Sequence, residues 1–406
     1  MVDFHQNGNI ATLHNLRTQS LQEMTYELET FAQTRKMSLV LPCLYSELQT
    51  PAMPNIVTEL SKVTYLHRII VGLDRATEDE FRHAKTFFKD LGQNHIVIWN
   101  DSPRMSALGD RLAKNGLAPK EPGKGKNVWS SIGYLMSCGD SSVMALHDCD
   151  ILTYTNELLA RLVYPVANPG FPYQVAKGFY ARIGENKMNG RVTRLLVSPL
   201  LIALKRVVGD RDYLDYLRSF RYPLSGEFAM RTNILPDLRI PSDWGLEIGV
   251  LSEAWRNLAP KAVCQVEIAD AYDHKHQDLS AEDANAGLNR MSTDICKAIF
   301  RKLAADGTVF TPNVFRTLKA TYYRSALDLL DAYYNDAQMN GLTIDRHKEE
   351  RSIELFADSI MRAGHHFLDN PYETPFIPTW SRVHAADPTF MRDMNKAAML
   401  DEEEFG

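Results

Sequence analysis

Val143-Met144-Ala145-Leu146-His147-Asp148-Cys149-Asp150 begins as a short apolar run and ends on two carboxylates. Four apolar residues in a row, bounded by polar ones, have the length of a buried strand. Three similar runs precede it, at residues 37–41 (MSLVL), 68–73 (RIIVGL) and 95–99 (HIVIW). Between them, residues 54–63, 77–91 and 127–138 carry apolar side chains at helical spacing. The alternation predicts β-α-β-α-β-α-β in one doubly wound, Rossmann-like α/β sheet. Ligands of such sheets collect beyond the carboxyl ends of the strands. Chemistry is therefore expected at Pro42-Cys43-Leu44, Asp74, Asn100-Asp101 and His147-Asp148-Cys149-Asp150.

On an extended backbone, positions i and i+2 point the same way, so Asp148 and Asp150 can face one site. Paired carboxylates where a strand opens into a loop suit Mg²⁺ or Mn²⁺ carrying a diphosphate, since such ions take one or two carboxylates plus phosphate oxygens. Asp210-Arg211-Asp212 serves as an internal control. Tyr213, Leu214 and Leu217 follow it at helical spacing, which would turn its carboxylates about 200° apart. It reads as a solvated helix face. Cys149 would project away from its flanking aspartates and has no identifiable base, which argues against a nucleophile.

Glu121-Pro122-Gly123-Lys124-Gly125-Lys126-Asn127-Val128-Trp129 leads into a helix. Its glycines let backbone approach a ligand, the helix start offers unpaired N–H groups, and Lys124 can neutralise phosphate. The P-loop spacing is missing, and so is a GxGxxG after the first strand. Asp273-His274-Lys275-His276 follows another strand-like run, residues 264–268, and its imidazoles could complete a metal shell begun by a carboxylate.

Across 406 residues, 45% hydrophobic and 24% charged side chains match a globular chain of two or three units rather than a disordered one. Lys+Arg 45 against Asp+Glu 51 leaves a net charge of −6, so no overall basic excess invites nucleic acid. No apolar run approaches the roughly 18 to 20 residues that span a bilayer, and membrane insertion is not expected. Five scattered cysteines without a CxxC pair fit reduced thiols and a cytoplasmic location.

Residues 1–36 read as a helical lead-in. Residues 37–279 form the main unit, divided into a nucleotide-binding half (37–150) and an acceptor-binding half (151–279). Leu288, Met291, Ile295 and Ile299, then Val314, Leu318, Tyr322, Ala326, Leu329 and Tyr333, mark long helices within 280–369. A third helix is expected over 345–362. These helices read as a packing or dimerisation appendage, and a homodimer is expected. The tail, 370–406, carries Pro371, Pro375 and Pro378 and ends DEEEFG, so it is expected to be irregular.

Taken in order, these features resemble the GT-A nucleotide-sugar glycosyltransferases, and more closely the retaining glucosyl-3-phosphoglycerate synthases. The resemblance spans about residues 39–279. The family's Pro-Ala-Leu-Asn-Glu-Glu turn is matched by Pro42-Cys43-Leu44-Tyr45-Ser46-Glu47. Its Pro-Gly-Lys-Gly segment and following Trp are matched by Pro122-Gly123-Lys124-Gly125 and Trp129, and its Asp-Ser-Asp by Asp148-Cys149-Asp150. Gly190-Arg191-Val192-Thr193 stands unchanged. Pro223-Leu224-Ser225-Gly226-Glu227 and Gly245-Leu246-Glu247-Ile248-Gly249 match two further segments, and His274 the metal-binding histidine.

The resemblance implies that Pro42, Cys43, Leu44, Glu47 and Asp74 frame the nucleotide and that Lys124 meets its phosphates. It implies that Asp150 and His274 ligate Mg²⁺ or Mn²⁺ and that Asp148 holds the ribose or a metal water. Gly190, Arg191 and Thr193 would receive the acceptor's phosphate and carboxylate. Glu247 would orient the donor hexose or stabilise an oxocarbenium-like centre, with a covalent role as the alternative. Two departures stand out: Ser46 occupies the place of the turn's first glutamate, and Tyr272 replaces an arginine two places before the histidine. The expected reaction moves glucose from UDP-glucose to 3-phosphoglycerate, as in compatible-solute synthesis. Alternatives are another donor such as GDP-mannose, another small anionic or lipid acceptor, or a catalytically silent sugar-nucleotide-binding protein.

Overall fold

The computed structural model describes residue 6 and residues 8–274, 287–371 and 376–405. A nine-stranded sheet organises them. In chain order the strands are β1 (Ala11–Leu13), β2 (Met37–Leu44), β3 (Leu66–Asp74), β4 (His95–Trp99), β5 (Val143–Leu146), β6 (Val175–Gly184), β7 (Lys187–Met188), β8 (Phe228–Arg231) and β9 (Val263–Tyr272). They lie in the order β1-β9-β6-β8-β5-β2-β3-β4, with β7 hairpinned onto β6. β5, β2, β3 and β4 are the four runs read from the sequence, and they pair in parallel. β8 then enters antiparallel between β5 and β6, which joins the two halves into one sheet.

The intervening helices form where the sequence supplies start and stop signals. Thr77 and Glu80 close a capping box at the start of Glu78–Phe88. Ser102 caps Pro103–Lys114, with proline at its first position. Lys124–Cys138 ends on Gly139 in the left-handed region. Both faces of the sheet are covered, so the parallel strands are buried almost throughout. All four parallel strands present their carboxyl ends on one side, and the loops there form the cavity described below.

Three features differ from the sequence reading. The lead-in contains β1, which pairs with β9 in parallel before the helix Leu21–Ala32 begins. The third long helix runs Arg346–Asp369, one turn and more beyond its expected end. The tail is ordered into the helices Trp380–Ala386 and Phe390–Glu404. Pro378 lies in the segment leading in; beyond it Thr379 caps a helix whose Trp380 is almost fully buried. Trp380 stacks on Trp129 with ring centroids 4.1 Å apart, and each indole N–H donates to a backbone carbonyl, Trp129 to Pro378 and Trp380 to Trp129. The acidic ending finds basic partners: Arg104 holds Asp401 at 2.5 Å and also Glu404, while Phe405 packs edge-on to Trp99 and Phe81.

Candidate active site

Beyond the carboxyl ends of β2, β3 and β5 lies a cavity of about 1090 Å³. Pro42, Cys43, Leu44 and Glu47 line it from β2 and the turn that follows, Asp74 from the end of β3, and Asp148, Cys149 and Asp150 from the segment after β5. Lys124 enters at the start of Lys124–Cys138, Glu247 at the start of Leu246–Asn257, and His274 just after β9. Gly190 and Arg191 close the far side. Asn100 and His147 do not line the cavity, and neither does Thr193. It is buried in the turn behind Arg191, and its hydroxyl has no hydrogen-bond partner among the described residues. His276 lies outside the described residues.

A lysine between two carboxylates forms the centre. Lys124 Nζ stands 2.6 Å from Asp148 Oδ1 and 3.1 Å from Glu247 Oε1. Burial works against its charge, but Asp148 and then Glu247 outweigh it and hold the ammonium above lysine's ordinary value. In return, although burial opposes the charge of Asp148, Lys124 holds that carboxyl below its usual range. Room for the Asp148 carboxylate comes from Gly226: a Cβ there would fall 2.2 Å from Asp148 Oδ2. Only glycine admits the acid so close to the backbone.

Asp150 has the opposite environment. Burial, then the neighbouring Asp148, pushes its carboxyl up to about 7. An antiparallel bridge between Ile151 and His274, and a 2.9 Å bond from the Leu152 N–H to the Asp273 carbonyl, bring the histidine alongside. His274 Nδ1 is 3.5 Å from Asp150 Oδ2. That is long for a hydrogen bond and close to the roughly 3 Å between neighbouring donors of one small divalent ion. A half-buried carboxylate that resists its own charge, beside an imidazole nitrogen, fits a hard divalent cation. Among the described residues no group of three or more His, Cys, Asp or Glu forms a metal cage. A two-ligand site leaves positions for phosphate oxygens and water.

The side of the cavity at the end of β3 is polar but ordered. Asp74 accepts a 2.7 Å hydrogen bond from Asn100 Nδ2; burial raises its carboxyl pKa, opposed by Asn100 and Asn127. Cys149 is buried, and its contact with Cys43 followed by burial drives its thiol upward, so it is no nucleophile at neutral pH. The control pair stays apart: Asp210 is exposed and pairs with Lys205, Asp212 opens the helix Asp212–Ser219, and neither reaches the cavity.

No family model matches the chain. Whole-chain relatives do. A glucosyl-3-phosphoglycerate synthase from Persephonella marina is 45% identical over 401 residues, covering 99% of this chain and 99% of its own. The chain belongs to the glucosyl-3-phosphoglycerate synthase family. A synthase from Methanococcoides burtonii is 35% identical over 409 residues, spanning 100% of this chain and 99% of that one. The Mycobacterium tuberculosis family member, solved with Mn²⁺, UDP-glucose and phosphoglyceric acid, superimposes with a TM-score of 0.54 at 24% identity, covering 73% of this chain and 88% of that one. The shared fold is GT-A, here extended by the C-terminal helices. No helix among the described residues is long and apolar enough to cross a bilayer.

Several buried residues close to Asp148 had no role in the sequence reading. Lys177 sits inside β6 and donates to the Ser225 carbonyl; burial lowers its pKa to about 8. Glu227, just before β8, accepts from the Tyr180 and Tyr272 hydroxyls, each at 2.7 Å. Tyr272 and Tyr180 stack with centroids 3.7 Å apart. A lysine within an apolar strand was the available signal for Lys177. Leu288, Arg290, Met291 and Ile295 from Gly287–Ala305, and Lys348 and Glu349 from Arg346–Asp369, line the cavity, so the helical region contributes to the site as well as to packing.

Proposed function

We propose that this chain transfers glucose from UDP-glucose to 3-phosphoglycerate with retention at the anomeric carbon and with Mg²⁺ or Mn²⁺ as cofactor. The observation that supports it best is the convergence of Lys124, Asp148, Asp150, Glu247, His274 and Arg191 on one cavity. Whole-length relatives named for this reaction support the choice of substrates.

Pro42, Cys43, Leu44, Glu47 and Asp74 frame the uridine, and Asp148 holds the ribose or a metal water. Asp150 and His274 would hold the divalent ion, which when bound would neutralise the diphosphate and lower the energy of its departure. Lys124 stays protonated at neutral pH and would donate to the leaving diphosphate, where negative charge grows. The acceptor hydroxyl attacks from the face the diphosphate leaves. Its oxygen bonds to the anomeric carbon as the carbon–diphosphate bond breaks, and its proton passes to the departing phosphate oxygen. UDP and the glucosylated phosphoglycerate are the products. Glu247, fixed by Lys124, orients the hexose hydroxyls and faces the oxocarbenium-like centre. A carboxylate tied to an ammonium is a poor nucleophile, which favours orientation over a covalent intermediate.

Arg191, with the Gly190 backbone N–H, receives the acceptor's oxyanions. Gly190 has φ +75, a left-handed conformation that turns the chain into the acceptor loop. The five cysteines are all free thiols, which together with a sugar-nucleotide donor supports a cytoplasmic setting. Incubation with UDP-glucose, Mn²⁺ and 3-phosphoglycerate, read by mass spectrometry, is expected to give a hexose adduct of the acceptor. No product across a panel of nucleotide hexoses and anionic acceptors would leave only a binding protein.

A further inference from the structure

Arg191 does not hold its place alone. Its Nε donates to Glu349 Oε1 at 3.0 Å, and Glu349, on the helix Arg346–Asp369, is only 4% exposed. The other oxygen of the same carboxylate lies 2.9 Å from Arg194 Nη2. Arg194 in turn donates to the Asn189 and Met188 carbonyls and lies 5.2 Å over the Tyr333 ring. One buried carboxylate thus ties Arg191, the turn after it, the β6–β7 hairpin and two C-terminal helices into a single unit.

Two details separate this arrangement from an ordinary structural ion pair. The contact uses only Nε of Arg191, and among the described residues neither terminal nitrogen of its guanidinium is hydrogen-bonded. That edge is the one that forks onto a carboxylate or phosphate. The charges also fail to balance: Arg191 and Arg194 share one carboxylate, and Lys348 lines the same cavity. A self-sufficient structural pair would be neutral, whereas an excess of cations on a cavity wall is completed by an anionic ligand.

Resting on the reading of Arg191 as the acceptor's anchor, we infer that Glu349 is a positioning residue for 3-phosphoglycerate, and that the C-terminal helices complete the acceptor side of the active site. Glu349 fixes the Arg191 guanidinium by its Nε and presents the remaining fork to the acceptor.

The test is Glu349→Gln in the full chain, with Asp358→Asn on the exposed face of the same helix as control; Asp358 pairs with the surface residue Lys319 and, among the described residues, with no other cation. Glu349→Gln is expected to raise the KM for 3-phosphoglycerate at least tenfold while the KM for UDP-glucose stays within twofold. Glu349→Asp, which keeps the charge but is one methylene shorter, should fall between it and the wild type. Asp358→Asn should match the wild type. Calorimetric titration of 3-phosphoglycerate into the UDP-bound protein should show the same loss of affinity. Removing a carboxylate that merely competed with the ligand would instead tighten binding, and tighter or unchanged binding overturns the inference. So does an equal rise in both KM values, the mark of general disruption. Should Glu349→Gln fold poorly, Glu349→Asp decides on the same criteria. Wild-type protein inactive on 3-phosphoglycerate would refute the acceptor assignment itself, a result separable from any behaviour of the variants.

Discussion

Asp148 and Asp150 are two positions apart, yet their surroundings drive them in opposite directions. The first is held ionised by Lys124, while the second is pushed up to about 7 by burial and its neighbour. Such a split marks carboxylates with different tasks: one belongs to a fixed ion pair, the other to the proposed cation site. Asp150→Ala and His274→Ala should each lower turnover by at least about 100-fold, since losing roughly 3 kcal/mol of charge stabilisation corresponds to that factor. Asp212→Ala should leave it unchanged. Mn²⁺ titrations of initial rate would check this, and equal losses in all three would dissolve the distinction between the two Asp-x-Asp pairs. Behind Asp148, the Tyr272 hydroxyl donates to the fully buried Glu227. Tyr272→Phe keeps the stack on Tyr180 but removes that donor, and should cost about 1–2 kcal/mol in urea unfolding. Asp148, Asp150 and Lys124 were legible because strand ends and a glycine-rich helix start confine where chemistry can occur. Glu349 was not, because nothing in Asp345-Arg346-His347-Lys348-Glu349 distinguishes a cavity carboxylate from a solvated one until the partner arginines arrive from 155 positions or more upstream.

Among the elements, the last two helices departed furthest from expectation, and electrostatics explains how they dock. Arg111, on Pro103–Lys114, holds Asp393 at 2.7 Å and also Asp387. Hydrogen bonds from Arg111, then Arg392, pull the Asp393 carboxyl down to about 2; Asp387 is lowered by the same arginine. A carboxylate depressed in the folded state stabilises the fold above its unfolded value of about 4, and loses that contribution as pH falls through the folded value. Arg111→Gln should therefore melt at a lower temperature than the wild type at pH 7, with the gap narrowing as pH drops from about 4 toward 2. A gap constant across that range would mean that Arg111 acts through its guanidinium lying over the Phe390 ring. Charge pattern alone could not show this, since DEEE at a chain end usually stays in water; Arg104 and Lys85 become its partners only once the sheet has brought their helices together.

For the whole molecule, the four parallel strands were legible because burial on both faces leaves apolar runs that few other structures produce. The insertion of antiparallel β8 was not, since Phe228–Arg231 is four residues long and its pairing depends on partners distant in sequence. The same dependence on distance governs the C-terminal helices. One continuous cluster of buried side chains runs from Val40 and Ile70 in the sheet, through Trp129 and Leu200, to Ile295, Phe315, Phe356, Trp380 and Met394. Elements that share a core have no surface along which to separate, so they should unfold together. Scanning calorimetry is expected to show a single transition, and UDP with Mn²⁺ should raise the whole of it, because ligand bound only by the folded state stabilises everything coupled to it. Trp380→Ala removes a fully buried ring more than two hundred positions from Lys124, at a cost of about 3–5 kcal/mol. Its effect should be to lower that one transition without splitting it. A low-temperature shoulder in the variant, with the ligand-stabilised transition left in place, would instead show that the tail and long helices are a separate domain resting on the sheet.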